Sequence, residues 1–264
     1  MNIQYTNNTD SLIFYSVYNN ELALKFDCVV GKDVLHKFPL HIHESLCIGL
    51  ITKGERNIIW TDRAETIRQN EIFVINKNQS HAINQVESHD YIAITINGLS
   101  DSASFRSIIK TDKCVYLFLR LFDVIRNGEC TLLSEKWNNL YQYLIDTHRL
   151  SISLTAKQDS IRKSLEYIQT NYQNQISVKD IAAHAFMSTY HFCRLFKKIT
   201  GLSPHNYLRQ YRLSRSYRYL QQNRPIFDTA IETGFYDSSH FIKTFHSYMA
   251  VSPQKYQQSV TTKQ

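Results

Sequence analysis

His191-Phe192-Cys193-Arg194-Leu195-Phe196, followed after six residues by Ser203-Pro204 and then by Tyr207, returns 49 residues downstream as His240-Phe241, Phe245, Ser252-Pro253 and Tyr256. Matching residues at one fixed offset mean that one helical unit was built twice. Phe192, Leu195, Phe196 and Ile199 fall at i, i+3, i+4 and i+7, as do Phe241, Thr244, Phe245 and Tyr248. Each copy therefore predicts a helix with one buried stripe and an opposite face free to meet a partner. A period near 50 residues also suits propellers and solenoids, but those need about three copies to bury a continuous core. Two copies indicate a pair of modules.

Local signals frame both modules. Ser177 is placed to cap a short helix with Asp180 in its first turn, and Ser188 to cap the helix that carries Phe192. Gly201 suits the left-handed residue that ends that helix. Ser203-Pro204 and Ser252-Pro253 each set a capping hydroxyl before a proline at the first helical position, where the missing N–H costs nothing. The long stretch from Pro204 to about Gln222 reads as one helix bridging the modules, stopped by Asn223-Arg224-Pro225.

The formal charge of +7 is unevenly spread. Residues 1–156 hold 15 Lys and Arg against 17 Asp and Glu, a net −2, whereas residues 157–264 hold 15 against 6, a net +9. A basic half whose cations lie along several amphipathic helices fits nucleic acid better than a membrane. No apolar run reaches the roughly 18 residues of a membrane helix, and Met1–Asp10 lacks the plan of a signal peptide, so a cytoplasmic protein is expected. Cys28, Cys47, Cys114, Cys130 and Cys193 are odd in number and scattered, which argues against a disulfide framework or a zinc finger.

From residue 21 to 97 the chain reads as short strands. Leu46–Thr52, Asn57–Thr61, Glu71–Asn76 and Tyr91–Asn97 are rich in β-branched and aromatic residues and bounded by turn clusters. A small antiparallel barrel or sandwich follows. After Gly98 the period turns helical, with Val115, Phe118, Leu119, Phe122 and Ile125 on one face and Trp137, Leu140, Tyr141, Leu144 and Ile145 on another. These helices either pack on the strands or pair with a second chain. The predicted division is a β domain over 1–98, a helical packing or dimerisation segment over 99–150, a linker over 151–159 and a helical domain over 160–264.

Ser177-Val178-Lys179-Asp180, Ile181-Ala182, Met187-Ser188, Arg194-Leu195-Phe196-Lys197 and Gly201-Leu202-Ser203-Pro204 together resemble the DNA-binding domain of the AraC/XylS family of transcription regulators. So do Ala230, Gly234-Phe235, Phe241, Phe245 and Val251-Ser252-Pro253. The likeness spans about residues 160–258. It implies an all-α C-terminal domain with two helix-turn-helix motifs joined by a long helix, each inserting its second helix into successive major-groove segments of promoter DNA. It also implies RNA polymerase as a partner and an activator's role. Three positions depart from the family pattern: Ala250 stands for the usual Gly, Ser216 for Ala, and Thr229 for a large aliphatic, which predicts a looser second module.

By helical wheel the outward face of the first recognition helix holds Thr189, Tyr190, Cys193, Arg194 and Lys197. Arg194 is assigned to a base, because its fork suits guanine O6 and N7, and Lys197 to phosphate. The matching face of the second is Ser238, Ser239, Ile242, Lys243 and His246, with fewer long polar groups. His191 and His240 are read as packing residues at the edge of the buried stripe. Of Arg209, Arg212, Arg215 and Arg218, some are expected to reach phosphate and at least one to brace the modules.

His41-Ile42-His43-Glu44, then Gly54 and His81, resemble the cupin-like barrel that serves many family members as an effector domain. A metal cupin carries a Glu four or five residues beyond the second His. Cys47 and Ile48 occupy that stretch, and Glu44 has the wrong strand parity. His41, His43 and His81 are therefore assigned to a pocket for a small-molecule effector that no residue identifies, and no metal or cofactor is expected. Two other readings stand beside a ligand-responsive regulator. One is a ligand-independent DNA-binding homodimer; the other is a metal-dependent cupin enzyme with a nucleic-acid anchor.

Overall fold

A computed structural model describes residues 2–6, 11–35, 37–84, 87–100, 103–151, 156–249 and 251–261. The chain divides into two compact units, one of residues 1–39 and 43–152, the other of residues 40–42 and 153–264.

The first unit is built on strands β1 (Asn2–Thr6), β2 (Ser11–Asn19), β3 (Leu24–Val34), β4 (Phe38–His41), β5 (Leu46–Lys53), β6 (Glu55–Trp60), β7 (Ala64–Arg68), β8 (Ile72–Ile75), β9 (His81–Ile83), β10 (His89–Asn97) and β11 (Ile108–Ile109). They form a seven-stranded sheet, ordered β1-β2-β3-β10-β5-β8-β11, and a four-stranded sheet, β4-β9-β6-β7. Among the described residues both are open: of the two architectures expected, barrel or sandwich, the strands form two sheets packed as layers, and no closed barrel is seen.

The central strands carry apolar residues at both parities. Leu46, Ile48 and Leu50 of β5, Ile72 and Val74 of β8, and Ile92, Ile94 and Ile96 of β10 enter one core. Their neighbours Cys47, Ile51, Phe73, Ile75 and Tyr91 enter another, shared with Ile58 and Trp60 of β6 and Ile67 of β7. Successive side chains point to opposite faces, and here both faces are covered. The first core is closed by helices α1 (Asp112–Asn127) and α2 (Cys130–His148). Phe122 meets Tyr15 edge-on at 6.1 Å and Trp137 meets Phe26 at 5.6 Å. The apolar faces foreseen on these helices are thus spent within the monomer, through Phe118, Phe122, Ile125, Trp137, Leu140 and Leu144.

The second unit consists of α3 (Ala156–Asn171), α4 (Val178–His184), α5 (Thr189–Thr200), α6 (Pro204–Gln221), α7 (Ile226–Glu232), α8 (Ser238–Met249) and α9 (Pro253–Thr261). Helix α3 begins inside the stretch read as a linker; Asp159 pairs there with Arg162 and Lys163, which favours the first helical turn. Two cores lie along α6. Ile161, Ile168, Ile181, Phe192, Phe196, Tyr207 and Tyr211 belong to the first, which also takes Ile42. Leu213, Leu220, Ala230, Phe235, Phe241 and Phe245 form the second. Gln210 ties Leu40–Ile42 down, accepting from the Ile42 N–H at 3.0 Å and donating to the Leu40 carbonyl at 2.9 Å.

Two of the three departures from the family pattern fall in buried positions. The Ser216 hydroxyl is satisfied by donating to the Leu213 carbonyl at 2.6 Å. The Thr229 hydroxyl is buried with no hydrogen-bond partner among the described residues. Ala250 lies outside the described residues. An unpaired buried hydroxyl is costly, so Thr229→Val, which keeps the side-chain shape, is expected to stabilise the protein by about 1 kcal/mol. Urea denaturation checks this, and a lowered midpoint would mean that the hydroxyl has a partner.

Candidate nucleic-acid interface

The capping signals in the first module work as the sequence indicates. Ser177 and Asp180 form a reciprocal capping box at the start of α4, the Ser188 hydroxyl accepts from the His191 N–H, and Gly201 ends α5 with φ 77°. The second module keeps the cap but changes its residue. Asp237, 49 positions after Ser188, accepts from the His240 N–H at 2.7 Å. A carboxylate at a helix N-terminus also complements the helix dipole. The residue equivalent to Ser177 is Ile226, and α7 begins after Pro225 with no side-chain cap.

Phe192 and Phe196 of α5 are fully buried, which turns Thr189, Tyr190, Arg194 and Lys197 outward, all exposed, with Cys193 half-buried. The Arg194 guanidinium lies over the Tyr190 ring, 5.7 Å from its centroid. On α8 the buried Phe241 and Phe245 leave Ser239, Ile242, Lys243 and His246 exposed and Ser238 half-buried. His191 and His240 depart from the packing role expected of them: both are exposed, although His240 keeps an edge contact with Phe235 at 5.5 Å. Each lies one residue before its buried Phe, and that step of about 100° carries it off the stripe.

The bridging arginines separate by role. Arg212 donates from Nε to the Tyr172 carbonyl at 2.7 Å and from a terminal nitrogen to the Asn174 carbonyl at 2.8 Å. Burial holds its pKa below the usual guanidinium value. Arg215 stands over the Tyr172 ring at 5.6 Å, whereas Arg218 is exposed. The segment that Arg212 grips also reaches the second module, since Gln173 donates to the Glu232 carbonyl at 3.0 Å and Gln175 to that of Gly234 at 3.4 Å. Gly234 has φ +85°, and a Cβ there would stand 2.5 Å from the Tyr172 oxygen and 2.8 Å from Arg212 Nε. Residues 172–175 thus form a second strut between the modules, beside α6. Sequence spacing foresaw a bracing arginine without selecting one, because its partners are backbone carbonyls that only the fold brings near.

In the first unit, His81 is buried and half-buried His43 lies 5.0 Å from it, ring to ring. His81 Nδ1–H donates to the Gln79 carbonyl at 3.3 Å, and Trp60 lies 6.0 Å away. His41 closes β4, and its stretch Leu40–Ile42 groups with the second unit. Arg56, one residue before the strand expected at Asn57–Thr61, is buried and shares the inward parity of Ile58 and Trp60.

A β-rich unit joined to a basic helical unit with two capped, cation-bearing helices is the architecture of a DNA-binding regulator that carries a ligand domain. Residues 24–161 match the AraC-like ligand binding domain, and residues 181–259 match a helix-turn-helix domain. The chain belongs to the AraC family of transcription regulators. It is 25% identical to the HTH-type transcriptional regulator YbfI of Bacillus subtilis, over 79% of this chain and 83% of that protein. To the transcriptional activator RhaR of Pectobacterium atrosepticum it is 28% identical, over 84% and 86%. In fold it is similar to ToxT from Vibrio cholerae with an unsaturated fatty acid bound, at a TM-score of 0.60, 15% identity and 98% of each chain. Among the described residues no helix is long and apolar enough to cross a membrane.

Replacing Arg212 by Met removes two charge-assisted hydrogen bonds and is expected to destabilise the protein by about 2 kcal/mol. It should also weaken binding to a two-segment DNA site more than to a single segment, because the strut is lost. Equal losses on both DNAs, measured by fluorescence anisotropy, would assign Arg212 to folding alone.

Proposed function

We propose that the chain is a ligand-responsive activator that reads promoter DNA with two helix-turn-helix units, α4–α5 and α7–α8, held at a fixed spacing by α6. The observation that carries this reading is the outward set Thr189, Tyr190, Arg194 and Lys197 on a capped helix of the half that holds all the excess positive charge. Arg194 reads a base, Lys197 meets phosphate, and Cys193 lies against the groove wall. The second helix offers Ser238, Ser239, Ile242, Lys243 and His246, and with one long cation it supplies backbone contact more than discrimination.

The N-terminal unit takes a small-molecule effector, with His43 and His81 lining its polar end and His41 beside them in sequence. ToxT binds an unsaturated fatty acid, and an effector of that amphipathic kind suits a unit whose interior is mostly aliphatic and aromatic. RNA polymerase is the partner that turns DNA binding into activation. Pairing with a second copy uses the outer surface of the helical segment, where Tyr116 and Leu132 remain exposed.

Arg194→Ala is expected to cost about 1–3 kcal/mol at the cognate site and little on random DNA. Lys197→Ala should weaken binding to both and reduce the salt slope by about one counterion. A footprint of one chain should protect two major-groove segments about 10 bp apart on one face of the duplex. Inserting half a turn between them tests the pair directly: unchanged affinity would mean that a single module binds.

A further inference from the structure

Arg56 stands on β6 in line with Ile58 and Trp60, and it is only 3% exposed. Its Nε donates to His89 Nε2 at 2.9 Å, and its guanidinium carbon lies 3.8 Å from the Tyr91 ring centroid and 5.1 Å from that of Phe73. The Tyr91 hydroxyl is a further hydrogen-bond partner. No carboxylate pairs with this buried charge among the described residues, whereas the ion pairs of the same unit lie at half-buried or exposed positions.

The neighbours cannot supply the missing charge. His89 accepts from Arg56 through Nε2, so its proton sits on the buried Nδ1, which faces the Val34 backbone. Burial, and next the Arg56 charge, push the His89 pKa down to about 4, so the imidazole is neutral. The flanking rings are held back by glycines. Tyr91 pairs with Gly31 and Phe73 with Gly49, where an added Cβ would lie 2.4 Å and 2.0 Å from the respective ring. Each ring therefore lies flat on its sheet and leaves a slot for the guanidinium. A dry cation between two rings, with a surplus of donors and no anion, is a costly arrangement for stability alone.

We propose that Arg56 is the anion-recognition point of the N-terminal unit and that the effector is an organic carboxylate, its charge taking the place of the absent counterion and its apolar remainder lying among Ile58, Trp60, Ile67 and Ile75. This rests on the reading of that unit as a ligand domain. Arg56 Nε is taken by His89, so a carboxylate engages the terminal nitrogens, joining or displacing the Tyr91 hydroxyl there. Side chains close over the guanidinium in this structure, and the ligand enters as the two rings lift from their glycines.

The test uses the full chain with cis-9-hexadecenoate and benzoate as probes and their methyl esters as neutral controls, followed by calorimetry and thermal melting. At least one carboxylate should bind and raise Tm, its ester should bind at least tenfold more weakly, and Arg56→Gln should lose at least tenfold in affinity while Arg56→Lys loses less. Equal binding of acid and ester, undiminished binding by a folded Arg56→Gln, or no binding of either acid overturns the proposal. The acid–ester comparison on the unaltered chain decides the matter if Arg56→Gln fails to fold. DNA binding is measured in parallel: if it persists while carboxylates fail, only the anion site is lost, whereas its absence overturns the regulatory reading itself.

Discussion

Helix α6 has to serve two cores at once, and the rest of the C-terminal unit depends on that constraint. Tyr207, Leu208 and Tyr211 in its first half belong to the core beneath α5, and Leu213 and Leu220 in its second half belong to the core beneath α8. No single apolar stripe runs its length, because the buried face turns midway. Ser216 is small enough to be fully buried at the second contact, with its hydroxyl returned to the helix backbone. A helix committed to two cores transmits the position of α5 to α8 through rigid packing.

The strut at residues 172–175 adds what a lone helix cannot. A single bridging rod fixes distance but resists twisting poorly at its far end. Arg212, in the middle of α6, holds the carbonyls of Tyr172 and Asn174, and Gln173 and Gln175 reach across to the end of α7. Three anchored points define an orientation. Gly234 is required where the strut meets α7, both by its positive φ and by the closeness of the Tyr172 oxygen.

Legibility in the sequence followed the range of the interactions. Caps, the left-handed Gly201, the prolines at Pro204 and Pro253 and the outward faces of α5 and α8 are local, and a reading within four residues finds them. Whether strands close into a barrel or pack as a sandwich depends on which edges meet, a long-range matter, and among the described residues they form two open sheets. Strands β1 and β2 lie before the stretch that reads as strands, because Asn, Thr and Ser interrupt their pattern. Asp237 stands where the repeat has Ser188, a different residue with the same capping chemistry, so identity matching does not find it. His191 and His240 read as packing residues at the edge of the stripe by adjacency to Phe, but a neighbour in a helix lies about 100° around the axis, and both are exposed.

Arg56 shows why parity is worth following through a strand even when its residue type argues against burial. Charge at an inward position invites the assumption that the strand has ended or that the register has slipped, yet the pairing of Arg56 with Ile67 and of Ile58 with Glu65 is continuous. Gly31 and Gly49 complete the argument from the opposite sheet, since a glycine beneath an aromatic ring in a central strand sacrifices strand stability unless space there is needed. Both glycines flank the same guanidinium through the rings they accommodate. A domain that merely supported its neighbour would fill these positions with aliphatic side chains and leave the charge at the surface.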